Sequence, residues 1–263
     1  MRFWLYPNLR SEDASRLAEE LRRRLGPDIA ASPEEADMIV TLGGDGTVLR
    51  AVRTLHGVDR PFWAVNCGHL GYLSDCGRED ALPALEKLLR GEYRLEKRVH
   101  LAGRLMDGRQ VTALNELLFH RGACVHTLGV EVKVNGSLAL RYRGDGLLVC
   151  TPSGSTAYNL SAGGPVLMPE MELLVLTPIC PQTLSAVPIV VSSRDRVSLT
   201  WRMALRDDAD EWPDLTADGQ EKMLLPLEGG MEIGPALPPV ALARTQDADF
   251  YGRLVRRMHW NAE

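Results

Sequence analysis

The sequence predicts an α/β N-terminal domain with a parallel sheet over residues 1–97 and a β-rich domain over 98–235. A C-terminal segment, 236–263, is expected to pack back on the first domain. Three observations predict this. Strand-like and helix-like stretches alternate through the first hundred residues, the order that lays parallel strands under covering helices. Beyond about residue 95, period-two patterns and turn dipeptides replace them. At 263 residues the chain also falls between one and two domains of about 150 residues.

The elements follow in order. Arg2 to Tyr6 reads as a short strand closed by Pro7-Asn8, and Ala14, Leu17, Ala18, Leu21 and Leu25 then recur at helical spacing until Gly26-Pro27, where the pattern must stop. Met38 to Leu42 is a buried strand, Gly43-Gly44-Asp45-Gly46 a loop, and Thr47 to Leu55 a helix. Phe62 to Asn66 is the next strand and Ala81 to Arg90 the next helix. In the second domain Val99, Leu101 and Leu105 alternate toward Asp107-Gly108, and Val130, Val132 and Val134 alternate into Asn135-Gly136, the strongest short hairpin signal. Further strands are expected at Leu147 to Cys150, Leu173 to Thr177, Val187 to Val191, Val197 to Trp201 and Glu221 to Leu225, and a closing helix at Phe250 to Met258.

Composition excludes several classes. Hydrophobic residues make up 45% and charged residues 25% of the chain, ordinary for a folded domain and wrong for a disordered or fibrous one. A formal net charge of −5 supplies no cationic field for a polyanion, so nucleic acid is not expected as a partner. No apolar run approaches the ~20 residues of a membrane span. The start, Phe3-Trp4-Leu5-Tyr6, has none of the marks of a secretory leader. The five cysteines, Cys67, Cys76, Cys124, Cys150 and Cys180, are odd in number and widely spaced, as expected of reduced thiols in the cytoplasm.

Two loops carry the chemistry. Gly43-Gly44-Asp45-Gly46 joins a buried strand to a helix N-terminus, where backbone N–H groups and the helix dipole favour phosphate. Asp45 repels phosphate, so it suits a base facing a hydroxyl or a group engaging Mg²⁺; on these four residues alone a turn chosen for its backbone angles explains the motif equally well. Thr151-Pro152-Ser153-Gly154-Ser155-Thr156-Ala157-Tyr158 packs four hydroxyls and a ring into eight residues, with Asn159, Leu160, Ser161 and Gly163-Gly164-Pro165 behind them. Asn115-Glu116 and Arg143-Gly144-Asp145-Gly146 add further polar groups. An adjacent amide and carboxylate suit a ribose diol, since a carboxylate accepts two O–H donors and an amide both donates and accepts.

Taken together, these pieces closely resemble the NAD kinases, which phosphorylate the 2′-hydroxyl of the adenosine ribose of NAD. The matching segments are Gly43 to Arg50, Asn66-Cys67-Gly68-His69-Leu70-Gly71-Tyr72-Leu73, Leu114-Asn115-Glu116, Arg143 to Leu147, Thr151 to Tyr158 with Ser161 to Pro165, and Met258-His259-Trp260. The resemblance implies an α/β domain joined to a β-sandwich, the fold shared with diacylglycerol kinases. It implies a site at the domain junction that is often completed by a second subunit of a homodimer or homotetramer. It makes Asp45 the proton acceptor and places Gly43, Gly44, Gly46 and Arg50 in the nucleotide site. Asn115 and Glu116 would hold a ribose diol, and Arg143 and Asp145 would contact the dinucleotide. Thr156, Ala157, Tyr158, Asn159, Leu160 and Ser161 would line the base pockets, with His126 and Gln220 as further nucleotide contacts. NAD and Mg²⁺-bearing ATP, or polyphosphate, are the implied substrates.

The chain departs from the family pattern at Pro181-Gln182-Thr183-Leu184-Ser185, where an imidazole usually precedes the hydroxyls; Gln182 keeps hydrogen-bonding capacity but cannot titrate near neutrality. Ser153 stands for a common Thr. No GxxxxGK[ST] phosphate loop occurs and only four lysines are present, so backbone amides and metal must hold the phosphates. Two alternatives stand beside the kinase: a non-catalytic NAD(P)-sensing module, and a lipid kinase sharing the glycine-aspartate loop. The polar Thr151 to Ser161 cluster argues against the apolar pocket that a lipid kinase requires.

Overall fold

The computed structural model describes residues 1–68, 71–123, 126–203, 212–246 and 250–258, the last three by backbone alone. His69, Leu70, Cys124, His259 and Trp260, named above, lie outside the described residues. The chain divides into two compact units, Met1–Lys97 with Val240–Glu263, and Arg98–Pro239.

The first unit starts with β1 (Phe3–Pro7), α1 (Glu12–Leu25), β2 (Met38–Leu42), α2 (Asp45–Thr54), β3 (Phe62–Asn66), β4 (Cys76–Gly77), α3 (Ala81–Leu89) and β5 (Arg94–Arg98). Helix α1 is capped by Ser11, whose side chain accepts from the Ala14 N–H at 3.3 Å, and it ends at Gly26, whose φ of 52° is costly for a residue with a Cβ. Its apolar stripe of Leu17, Leu21 and Leu25 is buried with Phe3, Met38, Val40, Trp63, Leu85 and Leu88 in one core. Each large side chain so buried contributes roughly 1.5–3 kcal/mol. Strands β2 and β3 are buried on both faces, the mark of a parallel sheet covered on both sides.

The second unit holds β6 (Leu101–Leu105), β7 (Gln110–Ala113), β8 (Glu116–His120), β9 (Leu128–Val134), β10 (Ser137–Gly144) and β11 (Gly146–Cys150). The short helix α4 (Tyr158–Ser161) follows, then β12 (Leu173–Ile179), β13 (Ile189–Ser192), β14 (Val197–Met203), β15 (Asp214–Ala217), β16 (Glu221–Leu224) and β17 (Glu228–Pro235). They form two six-stranded sheets, β10-β9-β14-β17-β6-β7 and β13-β12-β11-β8-β15-β16. Both inner faces feed one core, with Phe119 of β8 against Trp201 of β14 at 4.9 Å between ring centroids, so the unit is an antiparallel β-sandwich. The β9–β10 turn at Asn135-Gly136 has φ of 51° and 83°, the paired positive angles of a two-residue hairpin turn.

The chain then returns to the first unit through β18 (Val240–Arg244) and α5 (Phe250–Met258). Strand β18 lies between β3 and β5, completing the order β1-β2-β3-β18-β5 with β4 beside β3. Among the expected boundaries that shift, two have a local cause. Helix α2 begins at Asp45 rather than Thr47, because the turn closes with the Thr47 N–H on the Gly44 carbonyl at 2.8 Å. The strand expected at Val187 to Val191 runs from Ile189 to Ser192, after Pro188, which has no N–H to give a ladder.

Candidate active site

In the first unit, Gly44 is the N-cap of α2 and provides no side chain to cap it, while Asp45 occupies the first turn. Gly43 is needed because a Cβ there would run into Thr47 Oγ1. Gly44 and Gly46 are exposed, and Gly44 has open space where a Cβ would be, leaving the backbone accessible. The Asp45 carboxylate is held by the segment after β3: Oδ2 accepts the Tyr72 N–H at 2.9 Å and Oδ1 the Leu73 N–H at 3.1 Å. Gly71 permits this, for a Cβ there would collide with the carboxylate. Arg50 lies one and a half turns further along α2, with its Nε buried and without a protein partner.

In the second unit the edges of three neighbouring strands converge. Glu116 opens β8 and pairs with Cys150 at the end of β11, while Leu117 pairs with Ala217 at the end of β15. Asn115, the Thr151 to Ser161 loop and the Asp218-Gly219 turn therefore meet at one end of the sheet. The Thr151 N–H donates to the Asn115 carbonyl at 2.8 Å and Thr151 Oγ1 to the Leu114 carbonyl at 2.6 Å. Gly154 is obligatory here, since a Cβ would strike the Asn115 carbonyl.

Two polar atoms at this end of the sheet are left unspent. Asn115 Oδ1 and Glu116 Oε2 are buried with no hydrogen-bond partner, a costly state for a polar atom unless a ligand completes it. Burial, with the Asp218 carboxylate nearby as a lesser cause, pushes the Glu116 carboxyl up from 4.5 to about 8. Near neutrality it is thus a protonated acid that both donates and accepts. Burial and Glu116 likewise push the neighbouring Cys150 thiol up.

Asp218 is the residue that sequence reasoning missed. It is 8% exposed, and its carboxylate accepts the N–H groups of Leu114, Asn115 and Glu116 at 3.0, 2.7 and 3.2 Å. It thereby fixes the backbone that presents the Asn-Glu pair. Its φ is 51°, and an aspartate before a glycine carries no signal in the sequence beyond that of a turn.

The other candidates divide. Thr156, Ala157 and Leu160 are half-buried and Tyr158 and Ser161 exposed on the loop, with Gln220 exposed on the adjacent β15–β16 turn. Asn159 is fully buried, and its amide is committed to the loop: Nδ2 donates to the Ser155 and Pro165 carbonyls and Oδ1 accepts from Thr177 Oγ1 at 2.7 Å. It braces the loop. Arg143, Asp145 and His126 lie toward the far end of β8, where His120 pairs with Gly146, about 13 Å from Glu116 at ~3.3 Å per residue. There Asp145 is paired with Arg121 at 2.8 Å, and Arg143 Nε donates to Thr127 Oγ1 at 3.3 Å.

A glycine-rich strand-to-helix loop bearing a carboxylate, and a β-sandwich edge bearing unspent polar groups, define a nucleotide-using phosphotransferase. Comparison with known proteins narrows the class. Residues 10–93 match the ATP-NAD kinase N-terminal domain and residues 114–241 the ATP-NAD kinase C-terminal domain. The NAD kinase of Thiobacillus denitrificans is 38% identical over 232 residues, 86% of this chain and 77% of the relative. That of Moorella thermoacetica is 39% identical over 236 residues, 88% of this chain and 74% of the relative. Among solved structures, an NAD kinase from Archaeoglobus fulgidus in complex with ATP aligns with a TM-score of 0.80 at 26% identity, covering 97% of this chain and 98% of the other. Yeast NADH kinase complexed with NADH shares the fold, with a TM-score of 0.89 at 21% identity over 100% of this chain and 89% of the other. The chain belongs to the NAD kinase family.

Proposed function

We propose that this chain transfers phosphate from ATP, or from polyphosphate, to the 2′-hydroxyl of the adenosine ribose of NAD, giving NADP. The observation that carries the reading is that the adjacent residues Asn115 and Glu116 each hold a buried oxygen, Oδ1 and Oε2, without a protein partner, beside a loop rich in hydroxyls. Asn115 and the protonated Glu116 hold the ribose diol, and Thr156, Ala157, Tyr158, Leu160 and Ser161 surround the bases, with Asn159 bracing them from below. Asp45 takes the hydroxyl proton as the new O–P bond forms and the donor's terminal phosphoanhydride bond breaks, a contribution of roughly 10²- to 10⁴-fold. The backbone of Gly43 to Gly46 and Arg50 receive the donor phosphates.

Among the described residues no three His, Cys, Asp or Glu side chains converge as a metal cage. We read a divalent cation as part of the substrate, carried on the donor phosphates, as Mg²⁺ commonly is. Arg143, Asp145 and His126 sit too far from Glu116 to serve the same diol, and we assign them to the dinucleotide of a second copy in a homo-oligomer. No helix among the described residues is long and apolar enough to cross a membrane. The test is to incubate the protein with NAD, Mg²⁺ and either ATP or polyphosphate and to assay NADP with an NADP-specific dehydrogenase. NADP with at least one donor is expected; binding of NAD without NADP from either donor would leave a nucleotide sensor.

A further inference from the structure

The segment that holds Asp45 is itself gripped from the opposite side. Leu73, 2% exposed, gives its N–H to Asp45 Oδ1 at 3.1 Å and receives on its carbonyl the Nη1 of Arg244 at 2.9 Å. The other arm of the guanidinium, Nη2, donates to Glu96 Oε1 at 3.0 Å, and Glu96 Oε2 accepts from Arg94 at 3.2 Å. The side chains of Arg244 and Glu96 are 1% and 4% exposed. One residue further on, Arg253 donates to the Ser74 carbonyl at 2.7 Å. The Asp75 carboxylate is tied down by Trp63 Nε1 at 3.0 Å and by the N–H and hydroxyl of Thr245 at 3.0 and 2.6 Å.

A buried ion pair is weak evidence for stability, because desolvating both charges offsets most of their attraction. Here the cost is increased by Arg244 Nε, which is buried without a partner. An apolar side chain would fill the same volume without that penalty. What it would not do is direct two N–H groups at two acceptors in one plane, which the rigid guanidinium fork does. Leu73 is thereby fixed on both of its sides, and the main-chain donors that orient the carboxylate have a defined position.

We propose that Arg244, anchored by Glu96, is a positioning residue for Asp45, acting through Leu73. The inference rests on the role of base proposed above for Asp45. Lysine at this position keeps a cation beside Glu96 but cannot serve Glu96 and the Leu73 carbonyl with a planar fork. Arg244→Lys is therefore expected to lower kcat on the order of 10- to 100-fold, the scale of a misplaced catalytic group, with KM for NAD and for ATP within about twofold and the thermal transition retained. Introduced into Asp45→Asn, the same change is expected to move the residual turnover by less than about twofold, since the group it positions is already gone.

Unchanged kcat in Arg244→Lys, a rise in KM alone, or a loss in the Asp45→Asn background as large as in the parent would each overturn the proposal. Should Arg244→Lys fail to fold, the pair Arg244→Met with Glu96→Gln leaves no buried charge unpaired and is judged by the same criteria. Failure of the underlying reading shows separately, as substantial turnover in Asp45→Asn alone.

Discussion

Two carboxyl groups, Asp45 in the first unit and Glu116 in the second, are treated in opposite ways. Asp45 sits in the first turn of a helix and its carboxylate accepts the main-chain N–H groups of Tyr72 and Leu73. Glu116 sits at the start of a strand, with one oxygen buried and partnerless and a second carboxylate as its neighbour. The first environment orients a group for one task. The second leaves a buried polar atom without a protein partner. The difference matches the roles proposed above, a base and a ribose-binding group, and it can be broken or sharpened by experiment.

The largest effect is expected at Asp45. Asp45→Asn keeps size but not basicity and turns its amide NH2 toward one of the two main-chain donors, so kcat should fall by roughly 10²- to 10⁴-fold while NAD binding, followed by calorimetry, stays near the parent value. A variant that turned over freely would remove Asp45 from proton transfer. The next effect is in stability. Because the Glu116 carboxyl is raised to about 8 in the folded chain and stays near 4.5 when unfolded, the folded state binds the extra proton between those values. Stability is then complete below about pH 4.5 and declines as pH rises through the window to about 8. From pH 5.5 to 7.5 this amounts to about 2–3 kcal/mol, and Glu116→Gln should abolish that slope in denaturant titrations at the two pH values. An unaltered slope would show that Glu116 is not the group responsible.

The smallest effect belongs to Asp218. Asp218→Asn leaves one of the three N–H groups facing an amide, so the Asn-Glu backbone loosens. KM for NAD should rise about tenfold, or ~1.4 kcal/mol, with kcat little changed. A fall in kcat at constant KM would mean that Asp218 serves the chemical step instead.

Much of this was legible in the sequence where a residue's local pattern and its tertiary task coincide. The hairpin at Asn135-Gly136, the amphipathic spacing of α1 and the buried run before Gly43 each state their structure within ten residues. Legibility ends where partners are distant. Strand β5, Arg94–Arg98, is a run of charges broken only by Leu95, yet Glu96 and Arg98 are 3% exposed because Arg244 and Ser153 meet them from far along the chain. Asp218 looks like a turn residue until β8 is laid beside β15. Asn159, grouped by sequence with the ligand contacts, instead binds Thr177, eighteen residues away on β12.

The loop after β11 also closes the outside of its own sheet. Ala162 and Leu167 pack on Leu148, Cys150, Val175 and Ile179, and Gly164 lies so close to Asn159 that no side chain fits. A change of nucleotide preference made at those inner positions would expose a sheet face, and its price would be read as lost protein rather than lost specificity. Tyr158 and Ser161, exposed on the same loop, can be replaced without unroofing the sandwich.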